Sequence, residues 1–237
     1  PTLAEAHLAL GLHQLYGEWN LEAAAISLKR ALELNPSFSD AWYHWAWWLE
    51  MMGYDEEAIA AGKKTVELSP LSSFYVSWLA DQYRDAGDYA KAIELAESVI
   101  TLSPGYPVAW LVLGNVYLEQ GRYEEAIAAH EHLEHRPYFA LALGQTYAWA
   151  GQPEKALQIA QGYEQAPDNE IAFAIIYSAL GDVEKALHYM TRAREKRLTW
   201  AVGFFSWFTA TRSLLDDPRV QAEARLYPTP LVPFPRS

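Results

Sequence analysis

The sequence contains no cysteine. This absence excludes disulfide bonds, thiolate metal sites and cysteine nucleophiles. No apolar run approaches the roughly 20 residues that cross a bilayer, so we expect no membrane partner. Lys and Arg total 18 against 30 Asp and Glu, which gives a net charge of −12. Because nucleic acids are bound through Lys and Arg contacts to phosphates, we also expect no nucleic acid partner.

The chain begins at Pro1 and lacks the charged and apolar regions of a signal peptide. We therefore expect a fragment of a longer protein, located in the cytoplasm.

Catalytic motifs are missing as well. The sequence has no Gly-x4-Gly-Lys-Ser/Thr phosphate loop, no Gly-x-Ser-x-Gly elbow and no His-Glu-x2-His zinc motif. The nearest thing to a metal cluster is the segment 130–135, which holds three histidines. Its spacing is loose, and a polar helix end with a half-buried His130 explains it better. We expect no catalytic activity, no metal and no cofactor.

What the sequence does have is a repeating pattern. A glycine followed five residues later by an alanine recurs along the chain, at intervals of 34, 34, 30 and 30. The glycines and alanines are Gly53/Ala58, Gly87/Ala92, Gly121/Ala126, Gly151/Ala156 and Gly181/Ala186. Ala24, which precedes Ala58 by the longer of these intervals, indicates one further unit at the start. Fixed periods of this length indicate a protein built from stacked repeats.

Within one unit the pattern is that of two helices. Trp42, Trp45, Ala46 and Leu49 occupy positions i, i+3, i+4 and i+7, which is one buried face of a helix. Gly53 then predicts the end of that helix, because glycine best tolerates the left-handed conformation found there.

Residues 110–117 read Trp-Leu-Val-Leu-Gly-Asn-Val-Tyr. This sequence resembles the Trp-x2-Leu-Gly-x2-Tyr motif that begins a tetratricopeptide (TPR) repeat. The resemblance covers about residues 3–197 and implies an all-α fold. The expected architecture is a right-handed α-α superhelix, or TPR solenoid, of about six helix pairs with a C-terminal capping segment.

The units are not identical. Each of the two shorter intervals lacks about one helical turn, and we place the deletions near 135–137 and 166–168. The first turn, 17–22, carries about one extra residue, and similar turns occur in TPR regions appended to bacterial cyclases, kinases and winged-helix regulators. That resemblance implies a signalling or regulatory accessory region.

The sequence predicts three divisions: TPR repeats over 1–197, capping helices over 198–227 and a Pro-rich extended tail over 228–237. Aromatic residues are dense between 200 and 208, and they would cover the apolar end of the stack. Asp217-Pro218 predicts the start of a terminal helix over 218–226.

In TPR proteins the first helix of each pair lines the concave surface, so the resemblance also suggests binding residues. First-helix positions beside the buried stripe carry mostly aromatic and amide side chains. The candidate groove residues are Tyr43, Trp47, Phe74, Trp78, Arg84, Asn115, Tyr138, Gln145 and Trp149. Exposed aromatic patches mark interaction sites, but the same side chains could instead pack against one another.

From this we predict a non-catalytic scaffold that binds a protein, as a peptide or helix, in its concave groove. The carboxylate clamp of chaperone-binding TPR domains is not matched, because the corresponding positions hold Tyr43, Ser77, Leu111 and Leu141 and no Lys. Two alternatives stay open. One is a sensory or regulatory module of a larger bacterial enzyme or transcription regulator. The other is self-association into a homo-oligomer, with residues 231–234 lying in their own or a neighbour's groove.

Overall fold

A computed structural model describes residues 3–133, 139–163 and 169–231, without the side chains of Ala140, Trp200, Phe204, Trp207 and Thr209. The described part is helical throughout and contains no strand. None of its helices is long and apolar enough to cross a bilayer. Twelve α-helices form six consecutive pairs. They are α1 (Ala4–Leu12), α2 (Leu21–Leu34), α3 (Ser39–Met51), α4 (Asp55–Leu68), α5 (Ser73–Asp85), α6 (Tyr89–Leu102), α7 (Pro107–Glu119), α8 (Tyr123–Glu131), α9 (Ala140–Trp149), α10 (Pro153–Gly162), α11 (Asn169–Ala179) and α12 (Val183–Glu195).

Glycine separates the two helices of pairs 2 to 6, as the sequence predicts. Gly53, Gly87, Gly121, Gly151 and Gly181 all have φ between +72° and +80°. In pair 2 the next amide, of Tyr54, donates to the carbonyl of Leu49 at 2.9 Å, which closes a Schellman-type helix end. A side chain at the glycine would be strained in this conformation.

The alanines of the pattern lie where the helices of a pair meet. All five, from Ala58 to Ala186, are buried. A methyl group is small enough to let two helix backbones approach closely. The second helix of each pair also packs on the first helix of the next pair. The all-α solenoid of about six helix pairs predicted from the sequence is thereby confirmed.

The shorter repeats have shorter second helices. α8 has nine residues and α10 has ten, whereas α2, α4 and α6 have fourteen each. The points at which we place the deletions, near 135–137 and 166–168, lie outside the described residues.

Pair 1 absorbs its extra residue in a turn of π-helix, His13–Gly17, directly after α1. A π turn holds one residue more than an α turn and is the usual way a helix accommodates an insertion. Trp19 then takes the left-handed conformation, at φ +57°, that glycine takes in the other pairs. For a bulky residue this conformation is unfavourable, so contacts of its side chain must hold it in place.

After α12 the chain reverses at Arg197, φ +49°, and forms short helices. A 3-10 helix, Thr199–Gly203, leads into α13 (Phe204–Trp207) and α14 (Thr209–Arg212), and α15 (Pro218–Ala224) follows. α15 begins at the proline that the sequence predicts, with the Asp217 side chain accepting from the amide of Arg219. The last residues of the predicted extended tail, 232–237, lie outside the described part.

Candidate functional site

The first helices α1, α3, α5, α7, α9 and α11 together form what we call the inner surface. Residues 199–212, which we call the C-terminal segment, turn back across it. Val202 is fully buried in one cluster with Leu15, Leu21 and Met51 of the first two pairs. Helix α14 of the segment also contacts α11. It therefore bridges the last pair of the stack to the first.

Polar contacts hold the C-terminal segment against the C-terminal ends of α3 and α5. The buried Ser206 hydroxyl donates to the carbonyl oxygen of Met51, the last residue of α3, at 3.1 Å. The Arg212 guanidinium lies 3.9 Å from the carboxylate of Asp85, the last residue of α5, and both side chains are almost fully buried. The C-terminal segment thus covers the half of the inner surface formed by the C-terminal ends of these helices.

Beside Asp85 is a buried group of charges centred on Arg84. Its guanidinium contacts Asp81 at 2.7 Å, Asp85 at 3.1 Å and Glu119 at 2.7 Å. Burial disfavours the charge on Arg84, but the three carboxylates hold its pKa well above the ordinary value. Burial also raises the pKa of Asp81, against the opposing effect of Arg84. The guanidinium of Arg84, a candidate groove residue from the sequence, is therefore paired with carboxylates of the chain itself.

Aromatic side chains of α3 and α5 pack together on the other half, from Phe74 near the N-terminal end of α5 to Trp47 just past the middle of α3. The ring of Tyr43 lies 4.8 Å from that of Phe74, and Trp47 and Trp78 meet edge to face at 5.0 Å, measured between centroids. Tyr43 and Trp47 are buried, so the protein's own atoms cover them, whereas Phe74 is 38% exposed. Phe74 is therefore the outermost ring of a packed aromatic cluster.

The remaining candidate groove residues differ in how deeply they are buried. Asn115 of α7 is half-buried and Gln145 of α9 is buried. Trp149, at the end of α9, is half-buried and packs on the core cluster that contains Phe205. Tyr138 lies outside the described residues. As binding residues, all nine positions stay a prediction.

Sequence analysis did not single out Val202, Ser206, Asp85 or Arg212. The repeat pattern fades after residue 193, and nothing local in the segment 199–212 indicates which distant helices it will cover. The one available signal was periodicity. Met51, Asp85 and Glu119 are separated by the longer repeat interval and so occupy equivalent positions on the inner surface.

The histidine-rich segment 130–135 does not gather metal ligands in its described part, and no group of three potential ligands occurs among the residues of 3–133, 139–163 and 169–231. His130 is fully buried between helices; its Nδ1 lies 2.8 Å from the Thr146 hydroxyl and its Nε2 lies 3.3 Å from the carbonyl oxygen of Leu111. Burial lowers its pKa to about 4, so the ring is neutral. His132 stacks on Trp110 at 3.7 Å. These are packing contacts.

Comparison with known proteins agrees with this architecture. The tetratricopeptide repeat family model matches residues 83–133. A curated relative, the small glutamine-rich tetratricopeptide repeat-containing protein 2 of Mycosarcoma maydis, is 34% identical over 74 residues. That match covers 31% of this chain, and the chain spans only 21% of the relative.

Solved structures match over most of the chain. TTC0263, a thermophilic TPR protein of Thermus thermophilus, has a TM-score of 0.63 and 25% identity, with 79% of this chain and 97% of that chain covered. PilF of Pseudomonas aeruginosa has a TM-score of 0.55 and 21% identity, covering 81% and 91%. Cut9–Hcn1, a hetero-tetramer of APC/C, gives a TM-score of 0.62 and 19% identity, covering 82% and 40%. With the repeat pattern, the helix pairs and the glycine turns, these matches show that the chain has the tetratricopeptide repeat solenoid fold.

Proposed function

We propose that this chain is a non-catalytic scaffold that holds an extended or helical segment of a protein partner on the exposed half of its inner surface. Fold and repeats support the general role, since TPR proteins act in protein–protein interaction, and the neighbour Cut9–Hcn1 is itself an assembly of protein chains. The partner would lie along the N-terminal ends of the first helices, beside the C-terminal segment.

The observation that carries the proposal is Phe74. It is a large ring, 38% exposed, that packs on the buried ring of Tyr43 and the half-buried ring of Trp78. A ring fixed by its neighbours loses little conformational entropy on binding, and aromatic anchors contribute most of the energy of many interfaces. Half-buried Trp78 and Asn115 lie on the same set of first helices, where an indole ring and an amide could extend the contact.

The test is a selection of peptides from a random displayed library on the full chain. Affinities of the selected peptides are then measured for the unmodified protein and for Phe74→Ala, with circular dichroism as a check on helix content. We expect a loss of tenfold or more, because truncating an aromatic anchor costs about 1.4 kcal/mol or more.

Leu71→Ala is the matched control. Leu71 is an apolar residue that is 93% exposed, but it lies in the turn between α4 and α5 and not on a first helix. If the selected peptides bind Phe74→Ala and Leu71→Ala equally well, the exposed aromatic ring is not the anchor and the proposal fails.

A further inference from the structure

The half of the inner surface beneath the C-terminal segment also has the properties of a docking site. It receives the fully buried side chain of Val202, the Ser206 hydroxyl on a helix-end carbonyl, and Arg212 beside Asp85. The fully buried Phe205 of the same segment packs in the cluster that contains Ile171 and Ile175 of α11. The segment follows all six helix pairs in sequence, and its contacts with Met51 span 155 residues. The contacts of the C-terminal segment are therefore comparable to those of a peptide bound by the rest of the chain.

The segment cannot hold its shape alone. α13 and α14 have four residues each, and isolated helices of that length are unstable in water because helix nucleation is costly. Their helical form therefore depends on the surface beneath them. A site that orders a short helix from one chain end can order a similar helix from another molecule.

The charges of the site indicate what such a helix must carry. Three carboxylates, on Asp81, Asp85 and Glu119, surround the single guanidinium of Arg84, and Arg212 brings a second positive charge to Asp85. Without Arg212 this buried group would have two more negative than positive charges, which is unfavourable away from water. An occupant is therefore expected to end in an arginine.

We propose that this half of the inner surface is a second docking site, specific for a segment of consecutive short helices with two apolar side chains three residues apart and an arginine seven residues after the second. This is the spacing of Val202, Phe205 and Arg212. The C-terminal segment is the intramolecular occupant and competes with a partner segment of that chemistry. The inference extends the proposed scaffold function to a partner class, but it concerns the other half of the surface.

The experiment removes the arginine from the chain by substitution and supplies it on a separate peptide. The probe is a fluorescently labelled peptide of residues 199–215, added to the full-length chain either unmodified or carrying Arg212→Gln. Loosening the internal segment should expose the site, and the measured affinity rises with the fraction of molecules in which the site is open. We expect the peptide to bind Arg212→Gln at least tenfold more tightly than it binds the unmodified chain.

A peptide that itself carries Arg212→Gln is the matched ligand control, and it should bind the loosened chain at least tenfold more weakly than the original peptide. Arg225→Gln is the matched protein control, because Arg225 is exposed in the same part of the chain; this variant should bind like the unmodified protein. Circular dichroism shows whether the helices persist. If Arg212→Gln unfolds, Ser206→Ala, which removes the hydrogen bond to Met51, loosens the segment without altering any charge.

Equal binding of both peptides to the loosened chain, or no gain over the unmodified chain in either variant, would overturn the proposal. The Phe74 experiment uses different ligands and a different half of the surface. Failure of one therefore leaves the other intact.

Discussion

Trp19 and Tyr227 stack with 5.8 Å between ring centroids and 24° between ring planes. Trp19 belongs to the turn of the first pair, and Tyr227 follows α15. The Tyr227 hydroxyl also donates to the carbonyl oxygen of Met190 in α12, at 2.7 Å. One tyrosine therefore links the first and sixth pairs, and its contact with Trp19 accounts for a bulky residue at positive φ.

Trp19→Ala and Trp19→Gly should separate the ring contact from the backbone strain. Both lose the stack, and for this half-buried ring we expect a cost of about 2–3 kcal/mol in the free energy of unfolding. Glycine removes the strain of a positive φ, so Trp19→Gly should be the more stable of the two by about 1 kcal/mol. Urea unfolding followed by circular dichroism measures both values.

The same pair of substitutions at Trp42, inside α3, is the control. Within a helix, glycine is less stable than alanine by about 1 kcal/mol, so the order should reverse there. Finding the alanine variant more stable at both positions would show that the backbone at Trp19 is not strained.

Gly114→Ala should destabilise the fourth pair through His130. A methyl group on Gly114 would lie 2.3 Å from the His130 ring, and the ring is held by Thr146 and Leu111. We expect a loss of about 1–3 kcal/mol, typical of overpacking, in urea unfolding. Gly105→Ala is the control, since a methyl group there meets nothing within 4 Å, and adding His130→Ala to Gly114→Ala should relieve most of the clash. Strictly additive losses in that double variant would contradict the contact.

Stability should fall as the solution becomes acidic, because of two histidines: His130, which is buried, and His44, which is half-buried. Burial lowers the pKa of both His44 and His130 to about 4, whereas the unfolded value is about 6.5. The unfolded chain therefore binds more protons between these values. The contribution of the two histidines to the free energy of unfolding is fully present above a pH of about 6.5. It declines toward pH 4, by at most about 1.4 kcal/mol per pH unit for each histidine.

Urea unfolding at a series of pH values tests this. His130→Gln should reduce the slope by about half, while exposed His188→Gln should leave it unchanged. An unaltered slope in His130→Gln would mean that His130 is not the neutral buried base assigned to it.

Arg84→Met should cost about 3–5 kcal/mol at pH 7, because it leaves three buried carboxylates with Arg212, beside Asp85, as their remaining cation. Those groups would then take up protons more readily in the folded state, which binds more protons than the unfolded chain as the pH falls. The difference from the unmodified protein should therefore shrink between pH 7 and pH 5. Arg30→Met, which removes an exposed ion pair with Glu33, should show no such recovery. A loss for Arg84→Met that is independent of pH would contradict the buried ion group.

The repeats could be predicted because their features depend on local sequence patterns. A helix end such as Gly53 and a close contact such as Ala58 depend on a few neighbouring residues, so they can be recognised from spacing alone. Shortened second helices followed from the two shorter repeat intervals in the same way. The extra residue in the first turn was visible, but its accommodation in a π turn with Trp19 at positive φ depends on Tyr227, near the opposite end of the chain.

The inner surface was less predictable because its contacts are non-local. Tyr43 and Trp47 satisfied the pattern for groove residues and equally that for internal packing, and the structure has them buried. Arg84 looked free to bind a partner, since its ligand Glu119 belongs to the next repeat. Nothing near Ser206 or Arg212 in the sequence specifies Met51 or Asp85 as the contact.

The position of Val202 also bears on how the protein forms during synthesis. Contacts between adjacent pairs can form as soon as each pair has emerged, whereas Val202 is made long after Leu15, which it covers. At the ribosome's pace of roughly 5–20 residues per second, synthesis from Leu15 to Val202 takes roughly 10–40 s. For that time the part of Leu15 that Val202 covers is open to water, to chaperones or to a neighbouring nascent chain.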